Sequence, residues 1–169
     1  MLLMFNALMI HSQNVSSERS EILELQDRRT LGEDDRLIKY LYSTDPDIRT
    51  ASLYALANIG DSAVIGKLDF LLAGPFADYP AGKDLKAAAF LLGQIPCEES
   101  RKTLNFLLDN SNEIKEMKYP VISEILNSLG KAGNESDLDK VCSLIHSYAG
   151  QDTVLLTAAA MSVARFALR

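Results

Sequence analysis

Hydrophobic and small residues recur along most of this chain in blocks that repeat every 34 to 37 residues. One block carries Leu56 and Ala57 in its first half and Leu68 in its second half. Equivalent residues return in three later blocks: Leu92, Gly93 and Leu104, then Leu129, Gly130 and Val141, then Val163 and Ala164. Weaker matches precede the block, in residues 18–29 and 37–41. Periods of this size are typical of helical repeat proteins, so the sequence predicts four or five repeated units.

Each unit has the pattern of two helices joined by a tight turn. Positions 48, 52, 56 and 59 hold apolar or small residues on one helical face. Gly60 and Asp61 follow, a pair suited to ending one helix and capping the next. A second stripe runs through Ile65, Leu68, Leu71 and Leu72. Pro46 and Pro120 stand where first helices begin, a position that tolerates proline. No stretch alternates as a strand does, so the predicted fold class is all-α.

The segment DPDIRTASLYALANIGDSAVIGKLDFLL, residues 45–72, resembles the HEAT repeat, in particular the short variant found in phycobilin lyase subunits. Ile48-Arg49 and the Ile59-Gly60-Asp61 turn fill its motif positions, whereas later units lack the arginine. The resemblance covers residues 33–167. It implies an α-α superhelix, an armadillo-like HEAT solenoid of about four to five helix pairs. Arg49 is expected to pair with an acidic residue of a neighbouring repeat rather than to bind a ligand.

Such a superhelix is expected to be a non-catalytic scaffold that binds a partner protein or peptide on a concave face formed by the second helices. Phe70 and Phe106 occupy the same register on the outward side of two successive second helices, which makes them candidate contact residues. Their polar neighbours have mixed charge, typical of a protein-binding surface: Lys67, Arg101, Lys102 and Asn105. The alternative is that the connector at residues 73–82, rich in Pro and Gly, covers Phe70 within the chain.

The composition offers little material for catalysis. The chain has two His and two Cys, and it contains no recognisable phosphate-binding, metallohydrolase or nucleophile motif. We therefore expect no enzyme activity, no cofactor, no metal site and unpaired cysteines. The net charge of −6 argues against a nucleic-acid partner. The alternative function is a regulatory or structural subunit of an enzyme complex, and a bilin-lyase-like subunit is suggested by the family resemblance alone.

The two ends of the chain leave alternatives open. Residues 1–10 are apolar apart from Asn6 and too few to span a bilayer as a helix, so no integral membrane span is expected. Residues 1–17 are set apart from a repeat domain at 18–169. The apolar run at residues 1–10 has the length of the apolar part of a secretory signal, although no basic residue precedes it. The alternative is an apolar segment that caps the end of the core. Export to the periplasm or beyond is slightly favoured over the cytoplasm. The last unit stops after its first helix, and residues 154–161 are apolar on most faces, which suggests an incomplete array, an end-to-end homodimer, or cover by the N-terminal apolar segment.

Overall fold

A computed structural model describes residues 16–68, 82–114, 117–148 and 152–168 of the chain. These residues form α-helices and short 3₁₀ helices and contain no strand, so the all-α prediction is confirmed. The α-helices are α1 (residues 16–27), α2 (Arg36–Tyr40), α3 (Pro46–Ile59), α4 (Gly82–Gln94), α5 (Glu98–Asp109), α6 (Lys118–Ala132), α7 (Glu135–Tyr148) and α8 (Thr153–Ala167). The 3₁₀ helices are Glu33–Asp35, Ser62–Lys67 and Ser111–Glu113.

The ends of α3 follow the capping residues that the sequence provides. The side chain of Asp45 accepts a hydrogen bond from the Asp47 amide at 2.7 Å, and Pro46 occupies the first helical position. Gly60 ends the helix with φ +76°, a left-handed conformation that L side chains rarely adopt. Asp61 then caps the next helix through the Ala63 amide at 2.9 Å. The predicted turn at this point is confirmed.

The helices pack in a repeat-like order. The first helices of successive units form one layer, in which α3 packs on α4, α4 on α6 and α6 on α8. The second helices lie beside that layer, with α5 against α4 and α6, and α7 against α8. The 3₁₀ helix Ser62–Lys67 packs against α5. A shared core of buried aliphatic side chains lies between the helices, and its largest members include Leu56, Leu92, Leu104 and Leu107.

Two crossings within the first-helix layer depend on glycine. A Cβ atom added at Gly93 of α4 would lie 2.6 Å from the Cβ and 2.9 Å from the Cα of Ser128 in α6. One added at Gly130 of α6 would lie 2.9 Å from the Cα of Ser162 in α8. Real Cβ atoms essentially never come that close to backbone. The repeated glycine of the sequence pattern therefore allows the backbones of consecutive first helices to approach each other.

The structure departs from the sequence predictions near the first unit. The second helix predicted there begins as the 3₁₀ helix Ser62–Lys67, followed by buried Leu68, while Leu71 and Leu72 lie outside the described residues. The chain is already helical at residue 16, two residues before the predicted domain boundary. The apolar segment at residues 1–10 and nearly all of the connector at 73–82 also lie outside the described residues.

Candidate binding surface on α5 and α7

Most of the predicted contact residues lie on α5, and the local structure of this helix determines where they point. Cys97 caps the helix, since its sulfur accepts a hydrogen bond from the Ser100 amide at 3.4 Å. Leu104, Leu107 and Leu108 then turn one side of α5 into the core. Because these positions recur at helical spacing, residues 102 and 106 fall on the outer side, and residues 101 and 105 lie between that side and the buried stripe. The amphipathic pattern of α5 thus determines which side chains face α7 and solvent.

Buried Asp137 of α7 joins this surface to the neighbouring repeat. One of its carboxylate oxygens accepts hydrogen bonds from Arg101 at 3.0 Å and from the Asn105 amide group at 2.8 Å. Its other oxygen accepts the backbone N–H of Asn134 at 2.8 Å, just before α7 begins. The Asp137 side chain is only 4% exposed, so these bonds compensate for the loss of water around its charge.

Lys140 extends the same network toward solvent. Its ammonium group donates to the side-chain oxygen of Asn105 at 3.0 Å and lies 2.7 Å from a carboxylate oxygen of Asp109. Asn105 is thereby bonded at both ends of its side-chain amide, to Asp137 and to Lys140. The network is mixed in charge, and it fixes the positions of α5 and α7 relative to each other.

Arg101 and its partner Glu98 are both charged at neutral pH. A hydrogen bond with Glu98 raises the pKa of Arg101 further above the ordinary guanidinium value, and Asp137 adds to this against the opposing effect of burial. The same hydrogen bond lowers the pKa of Glu98. Neither group is therefore suited to exchanging a proton near neutrality.

Next to the network, the surface exposes an aromatic ring and a cation. Phe106 is 43% exposed, and the Lys102 side chain is 68% exposed. A shallow cavity of about 460 Å³ lies here, lined by Arg101, Lys102, Asn105, Phe106, Asp109, Ser136, Asp137 and Lys140. Four of the six predicted contact residues therefore meet in one place. We refer to these eight lining residues as the α5/α7 surface.

Of the other two predicted contact residues, only Lys67 lies in the described part of the chain, and it does not line this cavity. Lys67 ends the 3₁₀ helix Ser62–Lys67 and lies 3.7 Å from the carboxylate of Asp35, in the preceding unit. Phe70 lies outside the described residues, so the alternative that the connector covers it stays open. Of the two predicted aromatic contact residues, only Phe106 thus lies in the described part of the chain. The equivalent position on α7 is exposed Ser143.

Sequence reasoning did not single out Asp137 and Asp109 as members of this surface. A signal for Asp137 was present, because Arg101 and Asp137 are 36 residues apart, about one repeat period. The same offset, within one residue, relates Arg49 to Asp84, and these two form a buried ion pair between α3 and α4 at 2.8 Å. The prediction for Arg49 is confirmed. A search for basic and acidic residues one period apart would also have found Asp137.

The thiols and the second histidine add no reactive cluster to the described residues. Cys97 and Cys142 are both free thiols in the structure. The ring of His146 contacts the carbonyl oxygen of Cys142 at 3.0 Å near the end of α7. Within the described ranges, no group of three or more His, Cys, Asp or Glu side chains is placed to hold a metal ion. None of the described helices has the length and apolar character needed to cross a membrane.

Comparison with protein-family models, curated proteins and solved structures finds no match to this chain. The HEAT-repeat resemblance therefore stays a prediction that is based on the motif residues and their period. The structure itself defines the class: an all-helical, repeat-like protein with a polar and aromatic surface on its second helices.

Proposed function

We propose that this protein is a non-catalytic scaffold that binds a partner protein or peptide on its second helices, with the α5/α7 surface at the centre. The observation that carries the proposal is the exposure of Phe106 beside a hydrogen-bonded polar network. Binding hot spots commonly consist of an aromatic side chain within a polar rim. Phe106 would supply the apolar contact, while Lys102 and Lys140 would supply charge complementarity.

The rigidity of the surface supports the same function. Arg101 and Asn105 are held by Asp137, and Lys140 is held by Asn105 and Asp109. Side chains that are already ordered lose less conformational entropy when a partner binds. Arg101 and Asn105 therefore act as supports in this proposal, and Phe106 and Lys102 as direct contacts. In this proposal, two of these four predicted contact residues therefore touch the partner directly.

The proposed architecture is a HEAT-like solenoid of four to five helix pairs. Support comes from the 34- to 37-residue period and from the order in which α3, α4, α6 and α8 pack. Further support comes from the two glycine crossings, which occupy the same register in successive units. A stack of this kind presents its second helices side by side, which suits an elongated partner.

An end-to-end homodimer through α8 stays a separate prediction. The exposed side chains of Val154, Met161 and Leu168, on or beside that helix, are compatible with it.

The test is capture of partners from native lysate by the full chain, compared with a Phe106→Ser variant. We expect the partner that the unmodified protein captures to be lost, with affinity reduced by about tenfold or more, as for a hot-spot side chain. Tyr119→Ser is the matched control, since Tyr119 on α6 is 44% exposed and Phe106 is 43% exposed. The melting temperature and helical circular dichroism of both variants should stay near those of the unmodified protein.

Two outcomes would overturn the proposal. Equal capture by the unmodified protein and the Phe106→Ser variant would show that Phe106 does not contribute to partner binding. Loss of capture with Tyr119→Ser but not with Phe106→Ser would move the binding site to another surface. If Phe106→Ser unfolds the chain, a Lys102→Glu variant tests the same surface instead. Because Lys102 is well exposed, its replacement should weaken capture without affecting stability.

A further inference from the structure

The outward side of the first-helix layer carries a continuous row of aromatic and cationic side chains, separate from the α5/α7 surface. Tyr54 of α3 and Phe90 of α4 lie one repeat period apart, and their ring centroids are 5.4 Å apart with a 59° tilt. The ammonium group of Lys131, from α6, lies 5.2 Å from the centroid of the Phe90 ring. Three consecutive first helices are therefore connected along this side by ring–ring and cation–π contacts.

A second cation lies beyond Lys131 on the last helix. Arg165 of α8 occupies the next equivalent position, 34 residues after Lys131, and donates to the backbone carbonyl of Asn127 at 3.0 Å. Burial lowers the pKa of Lys131 most; the nearby charge of Glu124 raises it, and that of Arg165 lowers it. Lys131 and Arg165 thus place two positive charges on adjacent helices, with the carboxylate of Glu124 close to Lys131.

At its Tyr54 end, the row adjoins an apolar groove between α1 and α3. The groove has a volume of about 440 Å³, and its apolar lining consists of Ile22, Leu23, Ala51 and Tyr54. Leu23 is 59% exposed, and Tyr54 is 36% exposed. Arg19 and Asp47 lie at the groove and form an ion pair at 3.0 Å. The groove is wide enough for one large aliphatic or aromatic side chain.

The charge of this side differs in sign from that of the whole chain. Lys83 and Lys86 lie on the same face of α4 as Phe90, at helical spacing, and with Lys131 and Arg165 they make four cations. Among the described residues, the carboxylates on these faces include Glu124 and Asp47, and Asp47 is already paired with Lys83. The chain as a whole has a net charge of −6. This face therefore complements an acidic partner, which the rest of the surface would repel.

We propose that this face binds an acidic peptide segment that anchors one aliphatic or aromatic side chain in the groove beside Tyr54. Its carboxylates would lie against Lys131 and Arg165. The distance from the Tyr54 ring to the Lys131 ammonium is no more than the sum of the two ring contacts along the row. An extended peptide advances about 3.3 Å per residue, so a side chain beside Tyr54 and a carboxylate at Lys131 lie at most about three residues apart in the bound sequence.

The test uses a phage-displayed library of short random peptides, selected on the full chain. The proposal predicts enriched sequences in which an aliphatic or aromatic residue precedes or follows an acidic residue within about three positions. A synthetic peptide of the enriched sequence should bind Lys131→Gln on the order of tenfold more weakly than it binds the unmodified chain. Its affinity should also fall as salt is added. Lys102→Gln, on the α5/α7 surface, is the matched control and should leave affinity unchanged.

Several results would overturn the proposal. Enriched peptides without acidic residues, or equal binding to Lys131→Gln and the unmodified chain, would exclude recognition by this row. If Lys102→Gln weakens binding and Lys131→Gln does not, the peptides bind the α5/α7 surface instead. Light scattering that shows a dimer dissociated by Lys131→Gln would mean that a second copy of the chain occupies the face. A Tyr54→Ser variant with a normal melting temperature and unchanged peptide affinity would exclude the groove as the anchor site.

Discussion

The guanidinium group of Arg49 in α3 binds a single carboxylate oxygen of Asp84 in α4, through Nε at 2.9 Å and Nη2 at 2.8 Å. Both side chains are buried, with 7% and 2% of their surfaces exposed. The second oxygen of Asp84 accepts the hydroxyl of Thr50 at 2.8 Å, and Nη1 of Arg49 donates to the carbonyl oxygen of Ser43 at 2.8 Å. The polar atoms of the pair thus have partners, which a buried ion pair requires.

Asp84→Asn should destabilise the protein strongly, because it leaves the Arg49 charge buried without a counter-ion. The expected loss in the free energy of unfolding is about 3–5 kcal/mol, measured by urea denaturation at neutral pH. Asp109→Asn is the matched control, since Asp109 pairs with Lys140 but has 59% of its side chain exposed. An exposed pair contributes about 0–1 kcal/mol. Similar losses for the two variants would show that burial does not determine the importance of the Arg49–Asp84 pair.

Gly93→Ala should destabilise the protein through a steric clash between α4 and α6. The added Cβ would lie 2.6 Å from the Cβ of Ser128, so the helices would have to separate, at a cost of about 1–3 kcal/mol. Gly66→Ala is the control, because a Cβ at Gly66 meets no described atom within 4 Å. The Gly93→Ala variant combined with Ser128→Gly should recover part of the loss. No change in melting temperature with Gly93→Ala would contradict the close crossing.

Asp47→Asn should lower stability in a pH-dependent way. The side chain of Asp47 pairs with Lys83 of α4 and with Arg19 of α1, and Lys83 above all lowers the pKa of Asp47 below its ordinary value of 3.8. A carboxylate with a lowered pKa in the folded state contributes stability above its unfolded pKa. That contribution is lost as the pH falls through the lowered value. Melting temperatures of the variant and the unmodified protein should therefore differ at pH 7 and converge in acid; a constant difference would contradict this.

The sequence predicted the fold where local chemistry and periodicity agree. Asp45, Gly60 and Asp61 specify the ends of α3 through their own side chains or conformation, so the turn was predictable from a single sequence. The 3₁₀ helix Ser62–Lys67 was not, since its apolar spacing resembles that of an α-helix and periodicity does not distinguish the two over so short a segment. The hydrophobic pattern of a sequence likewise does not show how closely two helix backbones approach. The recurring Gly93 and Gly130 nevertheless lie at the two close crossings.

The candidate site was predicted in its position but not in its internal bonding. Helical register placed Phe106 and Lys102 on the outer side of α5, where the structure has them. The same register could not show that Asp137 would hold Arg101 and Asn105, because that contact depends on how α5 and α7 lie relative to each other. Tyr54 and Phe90 were equally hard to recognise, since the partner of each lies on another helix.

Hydrogen exchange on the full chain, with and without its captured partner, tests the central proposal most directly. The proposal that the second helices bind the partner predicts slower amide exchange in α5 and α7, residues 98–109 and 135–148, when the partner is present. Exchange in α3 and α4 should change little in the same experiment. Protection confined to α3, α4 and α6, with α5 and α7 unchanged, would contradict the proposal and place the partner on the first-helix layer.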